Sequence, residues 1–516
     1  MAHQTGRENS KCRRFFGAAF RTSKVKVLLQ EAIIAVTQDY IVGLDIGTTK
    51  ICTVIAKADA ESEILDIAGV GTVPARGVSK GTVVDLNQAA ASIQESIQAA
   101  SHMAGFRVKK ALIGVTGAHI DACNLKGGVS ISSDQDGDSA TVTHRDIARA
   151  FESATIRVMP GREILHLVPR QFSLDGERGI ESPLGMNASR LEAEIHLVTA
   201  AANSLKNVVE CANRAGIEAQ ALVLEPIATS EAVSTADERK MGVAIIDIGG
   251  GTSDIAVFCD GALHTSAIVP VGGNHVTRDI SIGMRTPFDI AERLKIESGA
   301  VASPLQKSDQ KLEVLSAGND GRVHMPRAML GKIIAPRMTE LFELARDAMH
   351  CNDIRKQLPA GVIITGGGAL LPGAAELAQE VFGLPVHLGS PSGMIGWADR
   401  VNSPKFATAV GLLHYARRLQ NDDYAFAELP GDNNSLRRVW GVPLEFDSAS
   451  KHGSEDASEK VFFDAPTKLI KGEIIKSQST SLSNIPELAK IWWRDFNKAI
   501  QPAVDRIRNW IGFDGE

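Results

Sequence analysis

The chain has 516 residues, 44% of them hydrophobic, which is enough material for two or more packed cores. A formal net charge of −6 excludes the broad basic surface of a general nucleic-acid binder, so no nucleic-acid partner is expected. Six cysteines (Cys12, Cys52, Cys123, Cys211, Cys259 and Cys351) lie far apart with no C-x-x-C pair, a pattern of buried thiols in a reducing cytosol and not of disulfides or a zinc site.

Residues 1–38 read as an extension ahead of the folded domain. They are basic (Lys11, Arg13, Arg14, Arg21, Lys24, Lys26), and their apolar stretch from Val25 to Val36 is interrupted by Lys26, Gln30 and Glu31 with no small-residue cleavage site after it. No apolar run in the chain reaches the ~18–20 residues of a membrane-spanning helix.

The next signal is an internal repeat. Leu44-Asp45-Ile46-Gly47-Thr48-Thr49-Lys50 is echoed by Ile246-Asp247-Ile248-Gly249-Gly250-Gly251-Thr252-Ser253-Asp254, and each copy lies between two apolar runs. Apolar runs joined by a Gly/Thr-rich turn predict a β-hairpin, and two copies so far apart predict two similar α/β halves facing each other. Between and after them, helices are predicted over Leu86–Ala104, 204–215, Phe288–Ser298, 330–349 and from Ala374, with strands over 111–115 and 361–365.

The chemistry of the two turns is that of a phosphate clamp. Gly47, Gly249, Gly250 and Gly251 leave backbone N–H groups free to meet phosphate oxygens. Thr48, Thr49, Thr252 and Ser253 add hydroxyl donors and Lys50 a positive charge, while Asp45 and Asp247 at the strand ends can hold Mg²⁺ through its waters. A third turn, Gly366-Gly367-Gly368, follows a buried strand and would let an adenine ring and α-phosphate approach the backbone. Glu292 and Lys295, three apart on one helical face, suit the ribose hydroxyls. ATP and Mg²⁺ are the expected cofactors. There is no G-x-x-x-x-G-K-[ST] loop.

These motifs, in this order, resemble the actin, sugar-kinase and heat-shock-ATPase superfamily. The stretch from Gly117 to Val198 narrows the resemblance. Arg162-Glu163-Ile164-Leu165-His166-Leu167-Val168-Pro169, Ser182-Pro183-Leu184-Gly185-Met186 and Arg190-Leu191-Glu192-Ala193-Glu194-Ile195-His196 look like the 1C subdomain of the FtsA family. The resemblance, which covers about 40–418, implies an actin-like (ribonuclease H-like) two-lobed ATPase fold. Its implied divisions are subdomain 1A over 39–116 and 199–240, 1C over 117–198, 2A over 241–273 and 343–418, and 2B over 274–342. In that family 1C serves polymer contacts, and 2B binds the C-terminal peptide of FtsZ, toward which Arg278, Arg285, Arg293 and Lys295 offer positive charge. His166 and His196 are placed by the resemblance in the 1C packing unit and not as metal ligands.

Residues 419–488 are polar and read as a flexible linker. Beyond it, 489–516 predict an amphipathic helix: Trp493, Phe496, Ile500, Val504, Ile507 and Ile511 form one apolar stripe, widened by Trp492 and Trp510, with Lys490, Arg494, Lys498, Arg506 and Arg508 around it. Aromatics on one face and cations on the other suit an anionic membrane interface. Pro502, on the polar side, predicts a kink or the start of a second segment.

The expected function is that of an ATP-binding, polymer-forming adaptor at the cytoplasmic face of the bacterial inner membrane, tying FtsZ filaments to lipid at the division site and recruiting later division proteins. No residue in the sequence presents itself as a base for water, so at most slow hydrolysis is expected. The alternatives are a kinase on the same fold, which would need a carboxylate base in a substrate pocket, and the related pilus-assembly actin homologue.

Overall fold

A computed structural model describes residues 40–57, 64–131, 140–155, 160–301, 311–315, 321–349 and 354–421. The predicted N-terminal extension, nearly all of the linker and the predicted C-terminal helix, including Trp492, Trp493, Phe496, Ile500, Val504, Ile507, Trp510 and Ile511, lie outside the described residues.

The first half begins with an antiparallel meander, β1 (Tyr40–Ile46), β2 (Lys50–Lys57) and β3 (Leu65–Pro74). A two-stranded ribbon, β4 (Val78–Ser79) and β5 (Thr82–Val83), leads into helix α1 (Leu86–Ala104). That helix starts where Asp85 accepts hydrogen bonds from the Asn87 and Gln88 N–H groups, and it ends at Gly105 in the left-handed region. Its Ile93, Ile97 and Ala100 recur at helical spacing and are all buried. Strand β6 (Lys110–Val115) then lies parallel to β1.

An inserted unit follows: β7 (Ile120–Ser130), α2 (His144–Thr155), β8 (Arg162–Leu174), β9 (Glu177–Ile180) and β10 (Arg190–Ala201). Its four strands pair in the order β7-β10-β8-β9. Phe151 and Ile147 of α2 pack with Leu167, Phe172, Leu191 and Ile195 into a core of its own. The first half closes with α3 (Ala202–Arg214), β11 (Glu218–Leu224), α4 (Glu225–Val233) and α5 (Ala236–Met241).

The second half repeats the plan. β12 (Val243–Ile248), β13 (Ser253–Cys259) and β14 (Ala262–Val269) form the meander. Helices α6 (Gly273–Gly283) and α7 (Phe288–Ser298), the hairpin β15 (Lys311–Leu315) and β16 (Arg322–Pro326), and α8 (Arg327–Ala348) follow. After α9 (Ile354–Gln357) come β17 (Val362–Thr365), α10 (Ala374–Phe382), β18 (Val386–Leu388), β19 (Met394–Gly396) and α11 (Ala407–Asn421).

Strand orders show that the repeat extends far beyond the glycine turns. The first sheet runs β3-β2-β1-β6-β11, with β19 added at its edge, and the second runs β14-β13-β12-β17-β18. In both, three antiparallel strands are followed by two parallel ones. β12 is buried at every position, as a strand covered on both faces must be. Each half has a separate apolar core, and α11 returns to the first, where Leu412, Leu413 and Tyr415 are fully buried. One boundary needs correction: α11 continues to Asn421, so residues 419–421, expected as the start of the linker, are the last turn of a helix whose other side is in the core.

Candidate nucleotide cleft

Both predicted hairpins form, and their turns meet. Ile46 pairs with Ile51 across the first turn and Ile248 with Ser253 across the second. A Cβ added at Gly250 would lie 2.3 Å from Thr49 Cγ2, and one at Gly251 would lie 2.7 Å from Thr48 Oγ1. Backbone to side chain, the two turns touch, which only glycine permits at these positions. The second turn also continues into α6, because Gly273 N–H donates to the Gly249 carbonyl at 2.9 Å and Asn274 N–H to the Gly250 carbonyl at 2.8 Å. Gly272 and Gly273 therefore belong to the cradle. Their Gly-Gly step ahead of a helical pattern was the available signal.

The third turn joins the same place. Gly366 has φ +84°, and a Cβ there would lie 2.2 Å from Asp247 Oδ1. Thr365, in β17 beside β12, donates to the Gly389 carbonyl at 2.9 Å. Gly367 and Gly368 continue the turn, with Gly367 open to space and Gly368 against Ile248.

Asp247 is buried, and its Oδ2 accepts from Thr408 Oγ1 at 2.9 Å and Thr229 Oγ1 at 3.1 Å. Burial pushes its carboxyl above the ordinary range against those two hydrogen bonds, with help from the nearby Asp45 charge. Asp45 is buried at the end of β1 and paired with Lys50 at 2.5 Å. Burial works against the Lys50 charge, but Asp45, with Cys52 and Asp247 adding to it, holds the ammonium above its usual pKa. Lys50 thus lies on Asp45 and not free in the cleft.

Two further carboxylates, which the sequence reading left without a role, complete the centre. Asp254, opposite Asp247 in the β12–β13 register, accepts from Thr116 Oγ1 of the first half at 2.6 Å. Glu225 opens α4 directly after β11, and its Oε1 is buried with no hydrogen-bond partner. Burial and the neighbouring carboxylates, Asp247 foremost, push Asp254 up to about 8, while Glu225 is raised by burial and by Asp45, Asp254 and Asp247. Four buried carboxyl groups thus stand together with one lysine among them, and three of them, Asp247, Asp254 and Glu225, are pushed toward the protonated form. That chemistry fits a hydrated Mg²⁺. No three His, Cys, Asp or Glu side chains among the described residues are spaced to ligate a metal directly.

Glu292 and Lys295 do share one face of α7, as expected, but they turn toward α6. Lys295 Nζ donates to the Gly273 carbonyl at 3.1 Å and to Thr277 Oγ1 at 2.8 Å, and it pairs with Glu292 at 2.7 Å. Thr277 also bonds Glu292. The pair therefore locks α7 to the start of the cradle helix. Arg278, Arg285 and Arg293 are exposed on the same two helices and the turn between them.

The two histidines of the inserted unit are structural. His166 is fully buried, accepts from Leu224 N–H at 2.9 Å, and is pushed down to about 3 by burial. His196 bonds Asn124 at 2.7 Å and Ser266 of the second half at 2.8 Å, and burial, with Arg170 adding to it, lowers it to about 4.

Two lobes of one strand order, closed on each other through paired hairpin turns, define an actin-like fold. A solved PilM–PilN type IV pilus biogenesis complex shares it, with a TM-score of 0.53 over 73% of this chain and 98% of that one at 16% identity, a likeness of fold alone. The model of the cell division protein FtsA matches residues 244–411, and that of the SHS2 domain inserted in FtsA matches 117–199. Cell division protein FtsA of Pseudomonas aeruginosa is 38% identical over 383 residues, covering 74% of this chain and 90% of the relative. The FtsA of Escherichia coli K12 is 34% identical over 391 residues, covering 74% and 91%. The chain belongs to the FtsA family and has a role in cell division.

Proposed function

We propose that the chain is an ATP-dependent, polymer-forming adaptor that holds FtsZ filaments to the cytoplasmic face of the membrane. The observation that carries the nucleotide part is the cleft itself, where two glycine turns and the N-terminus of α6 converge beside four buried carboxyl groups. Backbone N–H groups of the turns and the helix end would take the phosphate oxygens. Asp45, Asp247 and Asp254 would hold the waters of Mg²⁺, which supplies charge neutralisation for the phosphates. The open side of Gly367 would face the base and α-phosphate. Glu225, with its unpartnered Oε1 at the head of α4, would orient or deprotonate a water near the terminal phosphate. In this reading ATP sets the state of the polymer, and its hydrolysis is slow.

Support for the partner surface comes from α6, α7 and the turn between them. Ile282, Phe288 and Ile296 are exposed there at 70%, 48% and 71%, alongside the exposed Arg278, Arg285 and Arg293. Apolar anchors ringed by cations fit a short peptide with acidic and apolar residues, as expected of the FtsZ C-terminal peptide. Among the described residues no helix is long and apolar enough to cross a membrane. The lipid contact is therefore assigned to the amphipathic pattern of 489–516, where a single helix binds reversibly and a polymer presenting many gains avidity. The test is co-sedimentation of purified FtsZ with anionic liposomes and ATP, using the full chain or one ending at Ser483. FtsZ should pellet only with the full chain; FtsZ left in solution by both would overturn the adaptor reading.

A further inference from the structure

The ribbon β4–β5 has no role in the cleft as described so far, yet its turn touches both glycine turns. Ser79 pairs with Thr82, so Lys80 and Gly81 alone make the turn. Both have positive φ, +47° and +72°, as a two-residue turn matched to strand twist requires. Glycine suits that conformation, and asparagine tolerates it. A lysine there is strained, because its Cβ crowds the following carbonyl.

The turn is also held tightly in place. Gly81 N–H donates to Thr48 Oγ1 of the first phosphate turn at 3.1 Å, and a Cβ on Gly81 would meet Thr116 at 2.7 Å. On the other side, a Cβ on Gly251 of the second phosphate turn would lie 2.9 Å from Lys80 Cα. Lys80 is thus a first-half residue seated against the glycine turn of the second half. Its charge is felt by His275 in the first turn of α6, where burial acts first and Lys80 next to lower the imidazole pKa. Lys80 is exposed and forms no ion pair or hydrogen bond among the described residues.

The geometry points to Lys80 as a binding residue for the terminal phosphate of a nucleoside triphosphate, reaching it from the opposite half of the cleft. This inference rests on the nucleotide reading above. A strained cation between both phosphate turns and a helix N-terminus has one chemical use there, as a counter-charge to an anion bound by all three. The ribbon would then favour a triphosphate over a diphosphate, and the last phosphate would add one more tie between the two halves.

Titration of the full chain with fluorescent ATP and ADP analogues in excess Mg²⁺ tests this, using Lys80→Gly and Lys80→Arg. Glycine removes the charge and the strain together, so without nucleotide this variant should melt no lower than the unaltered protein. Its ATP affinity should fall about tenfold or more, the loss expected for a hydrogen bond to a charged group. Its ADP affinity should change by less than about threefold, and arginine should keep most of the preference for ATP. Unchanged ATP affinity in Lys80→Gly, or an equal loss for ATP and ADP, overturns the assignment. Failure of the unaltered chain to bind either nucleotide would instead remove the nucleotide reading on which it stands.

Discussion

The carboxylate centre makes a quantitative claim about protons. Asp254 lies near 8 against an ordinary 3.8, raised by burial and by the Asp247 charge. At pH 7 it is mostly protonated, and a cation held there as proposed would have to displace that proton. If one proton leaves Asp254, Mg-nucleotide affinity should rise about fivefold between pH 7 and pH 8, since the ionised fraction grows by that factor below a pKa of 8. This window lies above the titration of a free phosphate near 6, so the nucleotide's own proton contributes little. The sign for stability runs the other way. The folded chain holds a proton that the unfolded chain releases, so without nucleotide, stability should fall as pH rises from about 4 toward 8. Asp254→Asn keeps an acceptor for Thr116 Oγ1 and removes the ionisation, so it should flatten both trends. Calorimetric titration in two buffers of different ionisation enthalpy measures the proton release directly. Nucleotide affinity that is flat or falling with pH in the unaltered chain would refute the cation-for-proton exchange; an undiminished slope in Asp254→Asn would move the proton to Glu225.

Three further substitutions read other parts of the site. Gly366→Ala places a Cβ 2.2 Å from Asp247 Oδ1 at φ +84°, so it should cost about 1–3 kcal/mol in thermal or urea unfolding and abolish nucleotide binding. Normal affinity would show that this turn is outside the site. Glu225→Gln preserves shape in a buried place where the acid is held neutral in the empty cleft and would give up its proton only as Mg²⁺ enters, so folding and ATP affinity should survive. Its phosphate release should drop at least about a hundredfold, as when a general base is lost, and an unchanged rate would remove Glu225 from the chemistry. Gly411→Ala pushes a Cβ to within 1.9 Å of the Ala228 carbonyl between α11 and α4, for an expected loss of about 1–3 kcal/mol, with an unchanged melting temperature as the contrary result.

The hairpins and the third glycine turn were legible because their need is local: a strand end, a turn without Cβ atoms, and the next strand stand together in the chain. Helix α1 was legible for the same reason, with its cap, apolar spacing and terminal glycine all contiguous. Glu225 and Asp254 were not. Glu225 sits in Leu-Glu-Pro at the start of an ordinary helix, and only the parallel pairing of β11 with β6 brings it under Gly114, where a Cβ would lie 3.4 Å from its Oε1. Asp254 lies inside the repeated motif, but its first-half counterpart is Ile51-Cys52, so the comparison of the two copies gave it no partner. Lys50 and Lys295 show the opposite limit. Residue type and spacing marked them as cations near phosphate and ribose; what they could not show is that each pairs with a carboxylate within reach, Asp45 and Glu292. Spacing along one segment says which side chains share a face; it does not say which distant element that face will meet.

Helices α4 and α11 show how far the site extends into the rest of the body. Thr408, in the first turn of α11, donates to Asp247 across the cleft, and Thr229 of α4 does the same beside it. Three residues toward the end of α11 from Thr408 the backbones nearly touch at Gly411 and Ala228. Farther along, Arg418 pairs with Glu231 of α4 at 2.8 Å, and Arg239 of α5 pairs with the same carboxylate at 3.1 Å. Burial disfavours the Glu231 charge, but the two arginines hold it ionised below the usual range. The carboxylate shared by Arg418 and Arg239 ties α4, α5 and α11 into one piece at this end. One end of that piece carries Glu225 and the hydroxyls on Asp247. The other end is where α11 closes at Asn421. If nucleotide acts through Asp247, as proposed above, it acts on the same helical pair whose far end lies at Asn421.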